Sequence, residues 1–192
     1  VHDELRADLG QPRPALRLVQ GDVGSGKTVV AALAALCCVE AGYQVAMMAP
    51  TELLAEQHWR SFSDWFRPLG IEPAWLSGSQ KAAARRQALE TIADGSAQLA
   101  VGTHALFQEG VQFHDLALVV IDEQHRFGVH QRVALREKGV GDRGHPHQLV
   151  MTATPIPRTL AMAAYADLDT SIIDELPPGR EPVTTIAVPE TR

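Results

Sequence analysis

Apolar positions along the chain alternate between short continuous runs and longer stretches of helical period. Arg17 to Gln20 reads as a short strand ending at Gly21. Thr28 to Ala41, rich in Ala and Leu and stopped by Gly42, reads as a helix. A strand is expected over Gln44 to Ala49, then a helix over Thr51 to Phe66, with Pro68 and Gly70 beyond its end. Pro73 to Leu76 reads as a weak strand, Lys81 to Ala93 as an amphipathic helix stopped by Gly95, and Gln98 to Val101 as a strand. Leu116 to Ile121 is apolar throughout, the pattern of a central parallel strand buried on both faces. Gln148 to Met151 is a further strand and Arg158 to Ala166 a further helix. This alternation predicts an α/β layered domain with a mostly parallel central sheet.

Two segments break the pattern. Gly139 to Pro146 is a glycine-rich surface loop by composition. Leu176 to Pro182 has linker composition, and the strand-like Val183 to Val188 follows it, belonging to a next domain or pairing at a sheet edge here. The expected division is a domain over 1–176 and a linker with the start of a second domain over 177–192.

Hydrophobic residues make up 45% of the 192, which excludes a disordered chain. The longest apolar run, Val29 to Val39, has eleven residues, against roughly twenty needed for a bilayer. The start shows no signal-peptide pattern, and a first residue other than Met is expected of a fragment of a longer protein. The net charge of −6 argues against a surface that grips nucleic acid by bulk charge, though not against a local groove. Cys37 and Cys38 are adjacent in an apolar helical run, so they neither staple distant segments nor fit a metal site. They are expected to be buried thiols of a cytoplasmic protein.

The chemistry concentrates in two places. Gly21-Asp22-Val23-Gly24-Ser25-Gly26-Lys27-Thr28 fits G-x-x-x-x-G-K-[ST] at every position, between a predicted strand and a predicted helix. Its glycines let backbone N–H groups turn in around a polyphosphate, and the helix that follows lays its positive end on the phosphates. Lys27 is placed to reach the outer phosphates of ATP and Thr28 to ligate Mg²⁺. The second place is Val119-Val120-Ile121-Asp122-Glu123-Gln124-His125, two carboxylates directly after a buried strand. Ligands of open parallel sheets bind at the carboxyl ends of strands. Asp122 is therefore placed to hold Mg²⁺ through its water shell, and Glu123 to orient and deprotonate an attacking water.

Asp-Glu-Gln-His in this setting resembles the DEAD/DEAH-like box of superfamily 2 helicases. The rest of that family's pattern follows in order. Ala49 to Gln57 resembles motif Ia, Val101-Gly102-Thr103-His104 motif Ib, and Met151-Thr152-Ala153-Thr154-Pro155 motif III. Within the superfamily, Gly21-Asp22-Val23-Gly24, Asp122 to Val129 and Thr152 to Leu160 resemble the RecG and transcription-repair-coupling branch. Gln124, His130-Gln131-Arg132 and Leu176-Pro177-Pro178-Gly179-Arg180 lean toward the RecG side.

The resemblance implies a RecA-like P-loop NTPase domain of three layers. It implies a motor that couples ATP hydrolysis to the remodelling of branched DNA, forks and Holliday junctions, in repair and recombination. Thr51, Glu52, Thr103 and His104 would touch the DNA backbone, with a structural histidine bonding its own loop as the other reading of His104. His125 would join the box to Thr152 or Thr154 and act in catalysis, unless it is a solvent-facing loop histidine. A DNA-binding wedge domain, the adenine-reading glutamine motif (not found in residues 1–20) and a second motor domain with an arginine finger would lie outside this chain, leaving it nearly inactive alone. The alternatives are a transcription-repair coupling translocase and a P-loop nucleotide switch without strand movement. Trp65 falls with Phe62 and Phe66 at helical spacing, which predicts core packing rather than base stacking, and Arg85-Arg86 reads as a solvated face.

Overall fold

The computed structural model describes residues 1–123, 145–154 and 168–175. Gln124, His125, the run from Arg126 to Gln131-Arg132, most of the Gly139–Pro146 loop, the 158–166 helix, the 176–182 linker and the 183–188 strand lie outside them.

Among the described residues, seven strands form one sheet in the order β3-β4-β2-β5-β6-β1-β7. They are β1 (Leu16–Gly21), β2 (Gln44–Met48), β3 (Ala74–Leu76), β4 (Leu99–Gly102), β5 (Leu116–Asp122), β6 (His147–Thr152) and β7 (Leu168–Ile173). Every pairing is parallel, so the mostly parallel expectation is met in full among the described residues. The α-helices among the described residues are α1 (His2–Leu9), α2 (Lys27–Glu40), α3 (Glu52–Phe66) and α4 (Ala82–Ala93).

Alternate residues of each strand enter two separate cores, as the two-residue side-chain period requires. Val19, Val45, Met47, Val101, Val120 and Met151 pack with Ala31, Ala35, Phe62 and Phe66 of α2 and α3. Leu18, Ala46, Met48, Ala100, Ile121 and Val150 pack with Ala88 and Ile92 of α4 on the other face. Helices on both faces make the three layers. The apolar run of β5 is explained by its central place, with β2 on one side and β6 on the other.

The buried stripe of α3 is Ala55, His58, Phe62 and Phe66, at helical spacing. Trp65 lies off that stripe. It is 41% exposed and leans on Phe62 with ring centroids 5.9 Å apart, which corrects the expectation of core packing. Trp59 and Trp75 meet edge-to-face at 6.1 Å, and the Trp59 indole donates to Pro73 O at 3.1 Å. Arg85 is half-buried, and its guanidinium donates to Ser77 O and Gln108 Oε1, each at 3.3 Å. Arg86 is exposed beside Glu90, as expected of a surface pair. Cys38 is buried and Cys37 half-buried; burial pushes the Cys38 thiol up to about 12.

Two elements were not anticipated. The polar helix α1 is tied to the sheet by Leu5, which is buried, and by Asp8, which accepts from the Arg17 guanidinium of β1. The strand β7 takes the edge beside β1, where Ser171 accepts from Arg17 at 2.9 Å and donates to Glu4 at 2.6 Å.

Candidate functional site

The strand order divides the carboxyl edge of the sheet into two neighbouring halves. β1, β5 and β6 end at the glycine-rich loop, at Asp122-Glu123 and at Thr152-Ala153. β2, β3 and β4 end at Thr51-Glu52, at Ser77 to Ser79 and at Thr103-His104.

In the first half, Gly21 leaves β1 and the loop turns through Gly24 and Gly26, whose φ values are +81° and +93°. At Gly26, the N-cap of α2, an L side chain would be strained. Asp22 closes the turn by accepting from Val23 N at 2.8 Å and, through its carbonyl, from Ser25 N at 3.1 Å. Val23 and Gly24 are exposed, and Ser25 and Thr28 are partly covered. The Lys27 ammonium folds onto its own loop, donating to Gly21 O and Asp22 O at 2.7 Å each. Burial lowers the Lys27 pKa from its ordinary 10.5, while Asp122, Glu123 and Asp22 pull the other way. The loop after β1 and the two carboxylates after β5 flank β6 at the carboxyl edge of the sheet, so the lysine lies within their field.

Ser25 Oγ is buried with no hydrogen-bond partner among the described residues, and a Cβ on Gly21 would collide with it. An orphaned hydroxyl inside a glycine loop at a helix N-terminus fits a phosphate oxygen. The first turn of α2 carries no acidic side chain, so its positive end is not neutralised. The nearby oxygen donors, Thr28 and Asp122, suit a hard cation that keeps waters and shares phosphate oxygens. Among the described residues no group of three or more His, Cys, Asp or Glu is gathered as a metal cage.

Glu123 has φ +50°, the one non-glycine residue with positive φ among those described. The left-handed turn directs its backbone N–H to Met151 O at 2.9 Å and its carboxylate to two donors, Thr152 Oγ1 at 3.2 Å and Ala153 N at 3.1 Å. Thr154 N donates to Thr152 Oγ1 at 3.1 Å. The box is thus joined to the Thr152–Thr154 segment by Glu123 itself; His125, expected to make that link, lies outside the described residues. Asp122 accepts from His58 Nε2 at 2.7 Å. His58 was not singled out in the sequence, although a histidine within the apolar stripe of α3 is the signal that finds it.

In the second half, Thr51 is exposed and caps α3, its hydroxyl accepting from Leu54 N at 3.3 Å. Glu52 is exposed, but its carboxylate accepts from Ser79 N at 3.1 Å and Ser79 Oγ at 2.8 Å, bonds that hold its pKa below 4.5. Glu52 therefore fixes the Ser77–Ser79 loop, which the sequence had not brought forward. Thr103 corrects the expectation of a surface contact: it is 3% exposed and its hydroxyl caps the short turn His104–Phe107. The cause is the close packing of β3 on β4, where a Cβ on Gly102 would overlap the Leu76 carbonyl. His104 alone of that pair is exposed.

Known proteins place this arrangement. The DEAD/DEAH box helicase family matches residues 13–163. The chain is similar to the ATP-dependent DNA helicase RecG of Escherichia coli K12, 69% identical over 189 residues, 98% of this chain and 27% of that protein. RecG of Haemophilus influenzae is 65% identical over 192 residues, 100% of this chain and 28% of that protein. The chain thus spans about a quarter of the length of these relatives. Among solved structures, RecG bound to a three-way DNA junction superposes with a TM-score of 0.79 at 46% identity, over 95% of this chain and 24% of that one. The family match runs over most of the chain, from the glycine loop through the Asp122-Glu123 pair to Thr152 and beyond, and the chain belongs to the DEAD/DEAH box helicases.

Proposed function

We propose that the chain is the nucleotide-binding motor domain of a RecG-like helicase that couples ATP hydrolysis to the remodelling of branched DNA. The observation that carries this reading is the convergence of Lys27, Asp122, Glu123 and Thr152 at one sheet edge, beside a second cluster at the ends of β2, β3 and β4. In this reading Lys27 leaves its loop carbonyls for the outer phosphates, and the amides of residues 22–28 enclose the polyphosphate. Thr28 and Asp122 hold Mg²⁺, which neutralises phosphate charge when bound. Glu123, oriented by Thr152 and Ala153, accepts the proton of a water attacking the γ-phosphate in line.

Thr51, His104 and the loop held by Glu52 face the DNA backbone. His125 and Thr154 extend the coupling between the box and the DNA face. The substrates of the whole protein are forks and Holliday junctions, and its setting is cytoplasmic. No described helix is long and apolar enough to cross a membrane, and both cysteines are free thiols. A second motor domain supplies an arginine worth on the order of 10³–10⁵ in rate, and a wedge domain holds the junction.

The test is ATP turnover by the complete protein with and without a three-way DNA junction. Junction-stimulated turnover abolished by Lys27→Ala is the expected result; turnover indifferent to the junction would overturn the reading.

A further inference from the structure

His58 and Asp122 form a direct side-chain contact between the two halves of the site. The Nε2–Oδ2 distance is 2.7 Å, and the two side chains are 11% and 13% exposed. A carboxylate only accepts, so the imidazole donates whatever its charge. His58 stands on α3 between Ala55, at 0% exposure, and Phe62, also at 0%, so its ring is set by packed neighbours on its own helix. α3 begins at Glu52, in the half of the edge formed by β2, β3 and β4. His58 reaches from that helix to the end of β5, in the other half. The bond to Oδ2 fixes how the carboxylate is turned at the end of β5, where its charge also acts on the Lys27 ammonium.

We infer that His58 is the positioning residue of Asp122, holding its carboxylate in the orientation that receives the hydrated Mg²⁺ of the nucleotide. The inference rests on the nucleotide reading above and assigns His58 no contact with nucleotide. Partners that orient a ligating group commonly change metal affinity by about 10–100-fold when removed.

The experiment measures ADP binding to the complete protein while Mg²⁺ is titrated, with a parallel series in EDTA. His58→Leu keeps an apolar side chain of similar bulk in the α3 stripe and removes the donor. It is expected to raise the half-saturating Mg²⁺ concentration about tenfold or more, with ADP affinity in EDTA within about twofold of wild type. His58→Gln, whose amide N–H reaches the same oxygen, is expected to restore the wild-type Mg²⁺ requirement within about threefold. Should His58→Leu not fold, His58→Asn takes its place, its shorter amide falling out of reach of Oδ2. A wild-type Mg²⁺ requirement in the donor-less variant overturns the inference. So does an equal loss of ADP affinity in EDTA, which marks a purely structural role, or a glutamine variant as impaired as leucine. If the wild-type protein binds no ADP with or without Mg²⁺, the nucleotide reading itself fails.

Discussion

Glu123 accepts a hydrogen bond from the Thr152 hydroxyl, so the residue proposed to activate water is tied to the strand next to its own. Its backbone N–H is fixed to Met151 O at the same point. Any movement of the Thr152–Thr154 segment must therefore change the aim of the Glu123 carboxylate. A hydrogen bond to a charged acceptor contributes about 1.5–3 kcal/mol, which converts to about 10–100-fold in rate if it is made in the transition state. Thr152→Val is expected to lower junction-stimulated turnover by that factor while nucleotide affinity stays within about twofold. Steady-state turnover beside equilibrium ADP binding checks it, and an unchanged turnover number would remove this contact from the catalytic machinery.

The two box carboxylates should separate by substitution. Glu123→Gln is expected to bind Mg²⁺-ATP and stop hydrolysis, because the amide keeps the shape and loses the base. Asp122→Asn is expected to weaken Mg²⁺-dependent binding and leave metal-free binding near wild type. Full turnover in Glu123→Gln would show that another group activates water.

Nucleotide should stabilise the fold by mass action. At a hundredfold excess over the dissociation constant the gain is about 2.7 kcal/mol, equivalent to about 5–10 °C in melting temperature for a domain of this size. Lys27→Ala is expected to abolish most of that shift, since it removes the ammonium proposed to reach the phosphates, while the two bonds lost in the free protein are both to its own loop. Thermal melts with and without Mg²⁺-ATP decide it.

Gln44 is a buried polar staple away from the chemistry. Its amide donates to Ile92 O and Ala97 O at 2.8 Å each, and its Oε1 accepts from His114 N at 2.7 Å and Asp115 N at 3.0 Å. Gln44→Leu removes these four hydrogen bonds to backbone groups, and a buried group left without another partner costs on the order of 1–3 kcal/mol before relaxation. The expected loss is about 3–5 kcal/mol, read as a fall in the denaturant midpoint at constant slope.

Acid should weaken the fold in a defined window through His147. Burial lowers its pKa from 6.5 against the pull of Asp8, and its Nδ1 accepts from Ala15 N at 3.1 Å, which requires the neutral ring. The unfolded chain therefore binds the proton more readily, and stability falls as pH drops through 6.5 toward the depressed folded value. The depressed carboxylates, Glu4, Glu52 and Glu72, act lower, beneath their ordinary 4.5. His147→Gln is expected to flatten the fall of the melting temperature as pH drops below 6.5, which a pH series of melts checks.

Local patterns carried most of the elements. The ends of β1, β2, β4, β5 and β6 agree with the apolar runs to within one or two residues, because each strand is a core strand whose burial is written in its side chains. The glycine loop was legible for the same local reason: its φ values and its lysine are properties of eight consecutive residues. Edge β7 was not, because Asp169, Thr170 and Ser171 acquire strand character only from pairing with β1 and from the Arg17 guanidinium. The polar helix α1 depends likewise on the Asp8–Arg17 pair. The order of strands is tertiary: nothing in β1 or β5 says that β6 lies between them, yet that order sets Thr152 beside Glu123. Burial of Thr103 and the reach of His58 to Asp122 are decided the same way, by contacts between segments distant in sequence. A residue's type and spacing fix what it is able to do, while the packing of the sheet fixes what it meets.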